Sequence, residues 1–360
     1  MKKKIVFFTE SMELMGGMER VIAFLANQFQ DKYEVIILTM YGTTSPYFDV
    51  DSAIESLNIH VLPINSLSKL KRYFLTWYRL RSYLKKHLEI DYFIANTPAL
   101  CCSTMLASLS LIDYRMKVIA FEHHKYSFPS KFWQVIRKYT YKYCHRVIAL
   151  TSDAHQFYLS IGCPSVYIPN ALTLESRGVS TLTSKTLVSI GRLTASKGFS
   201  KLLDAWKLVS IKCPSWQLEI VGDGEEKINL KKQAAYLGIL DNVQFYGEVK
   251  CVQERYMAAS GFVLSSDHEG FGLVLVEAMS HGLPCISFDC DSGPRDIIIE
   301  KVNGFLVTPN NVEELAEAMM KYIRLSDDEK NIMSQKAKET SGRFLSSNIM
   351  DKWYKEVLND

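Results

Sequence analysis

Two cations stand five residues apart in the run Gly191-Arg192-Leu193-Thr194-Ala195-Ser196-Lys197-Gly198. Arginine offers a planar fork of donors and lysine a mobile point charge, a pairing suited to a diphosphate. The run follows an apolar segment and opens an amphipathic one, so both cations fall at a helix start. The helix dipole disfavours positive charge there unless an anion is bound; a solvated surface pair is the plainer alternative. A second run, Ser265-Ser266-Asp267-His268-Glu269-Gly270-Phe271-Gly272-Leu273-Val274-Leu275-Val276-Glu277-Ala278, sets two carboxylates eight residues apart around a glycine-broken turn. The exposed amides of Phe271, Gly272 and Leu273 can receive phosphate or sugar oxygens. Glu277, one or two turns into the following helix, can accept two hydroxyls of a ribose. Its neighbours Leu275, Val276, Ala278 and Met279 are apolar, and a carboxylate in that setting needs a partner.

Weaker signals share this pattern of strand end followed by helix start. Gly222-Asp223-Gly224 would let backbone and ligand approach closely, although such turns also arise for conformational reasons alone. In Asp291-Ser292-Gly293-Pro294-Arg295-Asp296 a proline at the first helical turn makes a rigid wall. In the first half, Glu13-Leu14-Met15-Gly16-Gly17-Met18-Glu19-Arg20 opens an amphipathic helix, but the full G-x-G-x-x-G fingerprint is absent and no acid closely follows the second strand, which argues against an NAD site. Phe121-Glu122-His123-His124 ends another strand; His123 reads equally as a polar contact in a crevice or as a satisfied structural histidine.

Residues of these types become a site only if strands and helices bring them to one edge. Short apolar, β-branched runs alternate with helix-length amphipathic segments, which implies an α/β protein with parallel sheets and crossover helices. Strands are expected at 5–9, 34–40, 60–64, 92–96, 118–122, 147–151 and 166–169, then at 187–191, 217–221, 243–246, 261–265, 284–288 and 305–307. The segment 170–185 lacks a strong period and reads as the interdomain linker. Two Rossmann-like, doubly wound domains follow, at 1–170 and 171–343. Phe344 to Leu358 has apolar residues at helical spacing after a break at Gly342 and is expected to pack back onto the first domain.

Composition narrows the function classes. With 48% hydrophobic and 22% charged residues the chain folds around cores; disorder and a disulfide-stapled miniprotein are excluded. The eight cysteines show no C-x-x-C pair and no metal-ligand spacing, and read as reduced thiols of a cytoplasmic protein. The apolar stretch Ile5 to Phe8 is too short for a signal peptide, and the uncharged run Tyr92 to Ile112 carries Asn96, Thr97, Pro98, Ser103 and Ser108, which argues against a membrane span. Residues 1–170 hold 20 Lys and Arg against 13 Asp and Glu, whereas residues 171–360 hold 22 against 26. The two halves therefore face different partners. Two acid-free stretches, 56–88 and 123–152, interleave cations with aromatics: Lys71, Arg72, Tyr73, Phe74, Trp77, Tyr78 and Arg79 in one, Lys131, Phe132, Trp133, Arg137, Lys138 and Tyr139 in the other. Such helices suit an anionic lipid surface, although a solvated face with its aromatics turned inward explains the composition too. No nucleic-acid-binding module is present.

Together, Gly16-Gly17-x-Glu19, Gly191-Arg192-Leu193-(x)3-Lys197-Gly198, Gly222-Asp223-Gly224, Glu269-(x)7-Glu277 and Gly293-Pro294-x-Asp296 resemble, in order and spacing, the retaining GT-B glycosyltransferases of family 4. That family includes bacterial lipopolysaccharide, capsule, exopolysaccharide and lipid-linked oligosaccharide assembly enzymes. The resemblance covers both domains, and its most specific motifs lie between residues 186 and 310.

The resemblance implies transfer of a hexosyl or N-acetylhexosaminyl group from a nucleotide-diphosphate sugar, by family frequency a UDP-sugar, to a lipid-linked glycan such as an O-antigen precursor. The donor would bind the second domain and the acceptor the first, with catalysis in the cleft between them. By motif, Arg192 and Lys197 would neutralise the leaving diphosphate, Glu277 would hold the ribose and Glu269 would lie near the donor sugar. Gly191 and Gly222 would line the donor site with Phe271, Gly272 and Leu273. Gly17 would let the first domain's loop approach the donor, and His123 would contact a sugar hydroxyl. No cofactor and no metal is implied, in keeping with the lack of an Asp-x-Asp triplet; fixed cations would replace a metal. Retention through two displacements at a carboxylate and a same-face transfer both remain open. The implied location is the cytoplasmic side of the cell membrane, peripherally held. Competing readings are a nucleotide-sugar 2-epimerase on the same fold and an inactive subunit that binds a partner enzyme.

Overall fold

The computed structural model describes residues 2–14, 16–42, 45–61, 68–109, 111, 116–123, 126–127, 129–174 and 176–358. They form two compact units, one of residues 1–173 with 349–360, the other of residues 174–348.

The first unit runs β1 (Lys4–Thr9), α1 (Gly17–Phe29), β2 (Glu34–Thr39), β3 (Glu55–Asn58), α2 (Lys69–Lys86), β4 (Tyr92–Ala95) and α3 (Pro98–Ser108). It continues with β5 (Lys117–Phe121), α4 (Lys131–Thr140), β6 (Arg146–Ala149), α5 (Ser152–Ser160) and β7 (Ser165–Tyr167). All strands are parallel, in the order β3-β2-β1-β4-β5-β6-β7. Helices cover both faces of such a sheet, so its central strands read as continuous apolar runs rather than as alternations. Ile5, Val6, Phe7 and Phe8 are all fully buried.

The second unit runs β8 (Thr186–Ile190), α6 (Phe199–Lys212), β9 (Gln217–Val221), α7 (Lys227–Tyr236), β10 (Val243–Gly247), α8 (Val252–Ala258) and β11 (Gly261–Leu264). It closes with α9 (Leu273–Ser280), β12 (Cys285–Phe288), α10 (Pro294–Ile297), β13 (Gly304–Val307), α11 (Val312–Arg324) and α12 (Asp327–Ser341). Its parallel order is β10-β9-β8-β11-β12-β13. Each sheet reverses its winding once, at β1/β4 and at β8/β11. In open parallel sheets, ligands bind beyond the carboxyl ends of the strands at that reversal.

Two expectations are corrected. The strand expected at 60–64 is replaced by β3 at Glu55–Asn58; His60 turns to φ 56, in the left-handed region, and residues 62–64 lie outside the described ones. The boundary between the units falls after residue 173, within the segment 170–185, and beyond it Ser180 donates from its amide to the His281 carbonyl at 2.9 Å and from its hydroxyl to the Ala259 carbonyl at 2.5 Å. The terminal segment is not one helix from 344. A 3-10 turn at Gly342–Phe344 ends at Leu345, α13 (Ser346–Lys352) follows, and Trp353–Leu358 is a wider π-type turn.

From residue 349 this segment belongs to the first unit. The Trp353 ring meets Phe29 edge-on at 5.7 Å and Phe121 at 5.4 Å. Tyr92 donates to the Leu358 carbonyl at 2.5 Å, and His145 Nε2 donates to the Val357 carbonyl at 2.9 Å.

Candidate functional site

In the second unit, three loops at the carboxyl edge of the sheet interlock by backbone contact. Leu193 donates to the Asp223 carbonyl at 2.9 Å, and the Glu226 amide donates to the Leu193 carbonyl at 3.0 Å. This binds the Gly191–Lys197 loop after β8 to the Gly222–Gly224 loop after β9. The approach is close enough that a Cβ on Gly222, whose φ is 133, would stand 2.0 Å from the Gly191 carbonyl oxygen. Gly198, at φ 64, plays the same part toward the loop after β11: a Cβ there would meet the Ser265 carbonyl oxygen at 2.0 Å. Ser265 Oγ donates to the Lys197 carbonyl at 3.1 Å, and the Asp267 amide to the Ser196 carbonyl at 2.9 Å. These glycines are demanded by loop packing, whatever ligand the loops receive.

The interlock brings Lys197 to Glu269. Nζ lies 2.6 Å from Oε1, and Ser266 Oγ donates to the same oxygen at 2.7 Å. The carboxylate is nearly buried, at 9% side-chain exposure, against 30% for the lysine. Arg192 is exposed at the same edge, on the turn after β8. Cys290, after β12, lies close enough to feel both charges, yet burial above all pushes its thiol up to about 12, so it stays protonated.

Gly272 adopts φ 95 and caps α9, Phe271 is buried against Phe344 with ring centroids 5.4 Å apart, and Leu273 is half-buried as the first helical residue. Glu277 follows on the second turn, at 3% exposure. The partner that its apolar sequence surroundings demanded is Tyr256 of α8, whose hydroxyl donates to Oε2 at 3.2 Å. The Tyr256 ring in turn stacks on His281, 5.1 Å away. Tyr256 was not legible as a site residue, because its tie to Glu277 crosses 21 residues and two elements.

Gly17 and His123 belong to the first unit, both at the carboxyl edge of its sheet. Gly16 and Gly17 differ in kind. A Cβ on Gly16 would collide with the Glu19 carboxylate at 2.1 Å, whereas one on Gly17 meets nothing within 4 Å. His123 is buried, its Nε2 lies 3.1 Å from Asn96 Oδ1, and its ring packs 4.1 Å from that of Phe121. His124 lies outside the described residues. Beside them Glu122 serves the core: it accepts from Arg137 at 3.1 Å, from Tyr141 at 2.5 Å and from Tyr158 at 2.7 Å.

A separate surface is built by α2 and α4, which touch through Tyr73 and Trp133, 4.9 Å between centroids. Tyr73, Trp77, Tyr83 and Trp133 pack inward against the core. Phe74, Tyr78, Phe132 and Tyr139 face outward, as do Lys71, Lys85, Lys131 and Lys138. Residues 71, 74, 78 and 85 share one helical face by their spacing. No helix among the described residues is long and apolar enough to cross a membrane.

Family patterns match both halves of the chain: that described as "Glycosyl transferases group 1" over residues 174–340, and "Glycosyltransferase Family 4" over residues 15–176. An uncharacterized glycosyltransferase of Haemophilus influenzae is 32% identical over 98% of this chain and 99% of its own. A Campylobacter jejuni enzyme, named as an α-1,4-N-acetyl-D-galactosaminyltransferase acting on a glycan carried by PP-undecaprenol, is 24% identical over 95% of both chains. The crystal structure of Anabaena HepE in complex with UDP and glucose superposes with a TM-score of 0.77 at 21% identity, over 99% of this chain and 100% of that one. The matches therefore span the whole chain in sequence and in fold, and the protein belongs to glycosyltransferase family 4 and has the GT-B fold.

Proposed function

We propose that this glycosyltransferase is a retaining enzyme that moves a hexosyl or N-acetylhexosaminyl group from a UDP-sugar to a lipid-linked glycan, in the assembly of a bacterial surface polysaccharide. The observation that carries the donor half is the meeting of Lys197 and Glu269 at the β8/β11 reversal, with Arg192 exposed on the turn after β8 and Glu277 buried on the second turn of α9. In this reading Arg192 and Lys197 neutralise the diphosphate as the anomeric C–O bond breaks, and Glu277, steadied by Tyr256, takes the ribose hydroxyls. The amides of Phe271, Gly272 and Leu273 receive donor oxygens, while Gly191 and Gly222 keep the loop edges thin. Two fixed cations supply the charge that a bound metal supplies elsewhere, so the reaction runs without one. A carboxylate already paired with Lys197 is a weakened nucleophile, which favours a positional role for Glu269. Transfer then proceeds on one face, the acceptor hydroxyl giving its proton to the departing phosphate.

From the first unit, Gly17 offers open space at a helix start, and His123 contacts a sugar hydroxyl. The outward cations and aromatics of α2 and α4 lie on the anionic inner face of the cell membrane, where a lipid-linked acceptor is presented; each cation near such a surface contributes about 1 kcal/mol. HepE, crystallised with UDP and glucose, and the Campylobacter enzyme, named for its PP-undecaprenol-borne glycan, lend support to these two halves.

The test is nucleotide release by purified protein across UDP-, GDP- and ADP-sugars, with and without membrane lipid extract and with chelator present throughout. Release from a UDP-sugar that requires the extract and survives the chelator is expected. Release that the chelator abolishes defeats the metal-free reading, and turnover indifferent to the extract defeats the lipid-linked acceptor.

A further inference from the structure

At the amino edge of the second sheet, opposite the proposed donor loops, a turn enters β13 and α11 gives way to α12. There a groove of about 620 Å³ opens, within the roughly 300–1,000 Å³ of small-molecule sites. Phe305 and Met333, both buried, form its floor with half-buried Leu325. Ile332 and Val302 are apolar and exposed on its sides, at 63% and 41%. One such side chain is ordinary on a surface; two above an apolar floor make a continuous apolar lining.

Lys301, Lys321 and Arg324, all exposed, also line the groove. Lys321 and Arg324 complement the carboxyl end of α11, where cations are favoured in any helix. Lys301 has no such reason: it holds the turn before β13 at φ 61, a left-handed conformation that glycine or asparagine enters at less cost. The three form no salt bridge among the described residues. Glu314 acts on Lys321 from longer range and accepts from the Thr308 amide at 2.9 Å. The one carboxylate in the lining, Glu329, is turned to its helix cap, where Oε2 accepts from the Ser326 amide and hydroxyl at 2.8 Å each. A cluster of cations thus stands over apolar surface in the half of the chain whose acids outnumber its bases, 26 to 22.

We propose that this groove binds a single-chain anionic amphiphile, its phosphate or carboxylate head among Lys301, Lys321 and Arg324 and its alkyl chain along Phe305, Leu325, Ile332 and Met333. The floor offers no side chain that could hydrogen-bond a base or a sugar, which favours an alkyl chain over a nucleotide. A flat bilayer face would meet the exposed cations and not the buried floor, so the ligand is one chain out of the membrane. The site is independent of the proposed transfer reaction.

The test uses full-length protein labelled with 13C at its methionine methyls, Met333 being assigned by the resonance lost in Met333→Leu. Decyl phosphate below its micelle concentration is expected to shift that resonance saturably, and added UDP should not reverse the shift. Inorganic phosphate and decyl maltoside should leave it in place. Calorimetric titration should show binding weakened about tenfold by shortening the chain to octyl phosphate, the worth of two buried methylenes. Lys301→Gln combined with Arg324→Gln, both at exposed positions, should keep the melting curve and weaken binding about tenfold or more. No shift at Met333, or binding that survives the double variant, overturns the proposal and places any bound amphiphile elsewhere. An equal shift with inorganic phosphate or with decyl maltoside overturns it too, reducing the groove to an anion patch or an apolar slot. Displacement by UDP assigns the ligand to the donor loops instead, and binding to phosphatidylglycerol vesicles with none to the monomer defeats the single-chain reading.

Discussion

Lys197 and Glu269 share one short ion pair, 2.6 Å long, whose acceptor oxygen is also bonded by Ser266. The pair fixes the position of the lysine, with Glu269 as its counter-charge, and in the proposed donor site the diphosphate would meet a cation already in place. Replacing Lys197 by Ala removes the cation and leaves a nearly buried carboxylate uncompensated. Nucleotide release is expected to fall by about 100-fold or more, the scale seen when one donor to a developing anion is deleted. Glu269→Gln keeps a hydrogen-bond acceptor for the lysine and should cost less. Steady-state release assays on both variants check the ranking, and equal losses would contradict it.

Tyr256 acts through Glu277. Tyr256→Phe keeps the ring on His281 and removes the bond to Oε2. UDP affinity is expected to weaken by about three- to tenfold, the worth of one such bond, with kcat little changed. Isothermal titration with UDP measures it; a Glu277→Ala variant should show the larger loss, and Tyr256→Phe should add nothing further to it.

Glycines of the two units should separate into structural and functional sets. Gly222→Ala drives a Cβ into the Gly191 carbonyl at a left-handed φ and should cost about 2–3 kcal/mol, lowering Tm by roughly 4–12 °C. Gly17→Ala meets no neighbour and should leave Tm in place, because alanine favours the helix start. Its turnover should nevertheless drop if a ligand needs that space. Calorimetry beside the release assay distinguishes the two.

Burial holds the His145 ring below the ordinary histidine range, aided by Lys117 and Arg146 and opposed by its bond to the Val357 carbonyl. His155 is shifted the same way, again by burial. The folded state therefore binds fewer protons than the unfolded chain as pH falls through about 6.5, and stability declines with it. Melting curves between about pH 7.5 and pH 5.5 should show Tm falling in wild type and falling less in His145→Gln, whose amide can still donate to Val357.

What was legible follows from where the physics is local. The central strands declared themselves because a parallel sheet covered on both faces needs unbroken apolar runs, as in Ile5 to Phe8. The edge strand β3 did not: Glu-Ser-Leu-Asn is only partly buried, and the more apolar Val61 to Ile64 drew the assignment instead. The loops of the proposed donor site were visible through their glycines, since backbone-to-backbone approach admits little else. Tyr256 and Asn96 were silent, because each matters through a partner on another element, 21 and 27 residues away, and no spacing rule records such a meeting. The terminal segment was read in its apolar positions but not in its change of helical pitch at Trp353, the residue that seats against Phe29 and Phe121.

That seat also sets an order of assembly. The first unit is completed by residues that lie beyond the whole second unit along the chain, so its face beside Phe29 and Phe121 stays uncovered until residues 349–358 have been made. A chain stopped near residue 348 would hold every strand of both sheets and still expose this aromatic face. Domain-by-domain folding during synthesis, the usual route for chains of this length, is thus available to the second unit before the first.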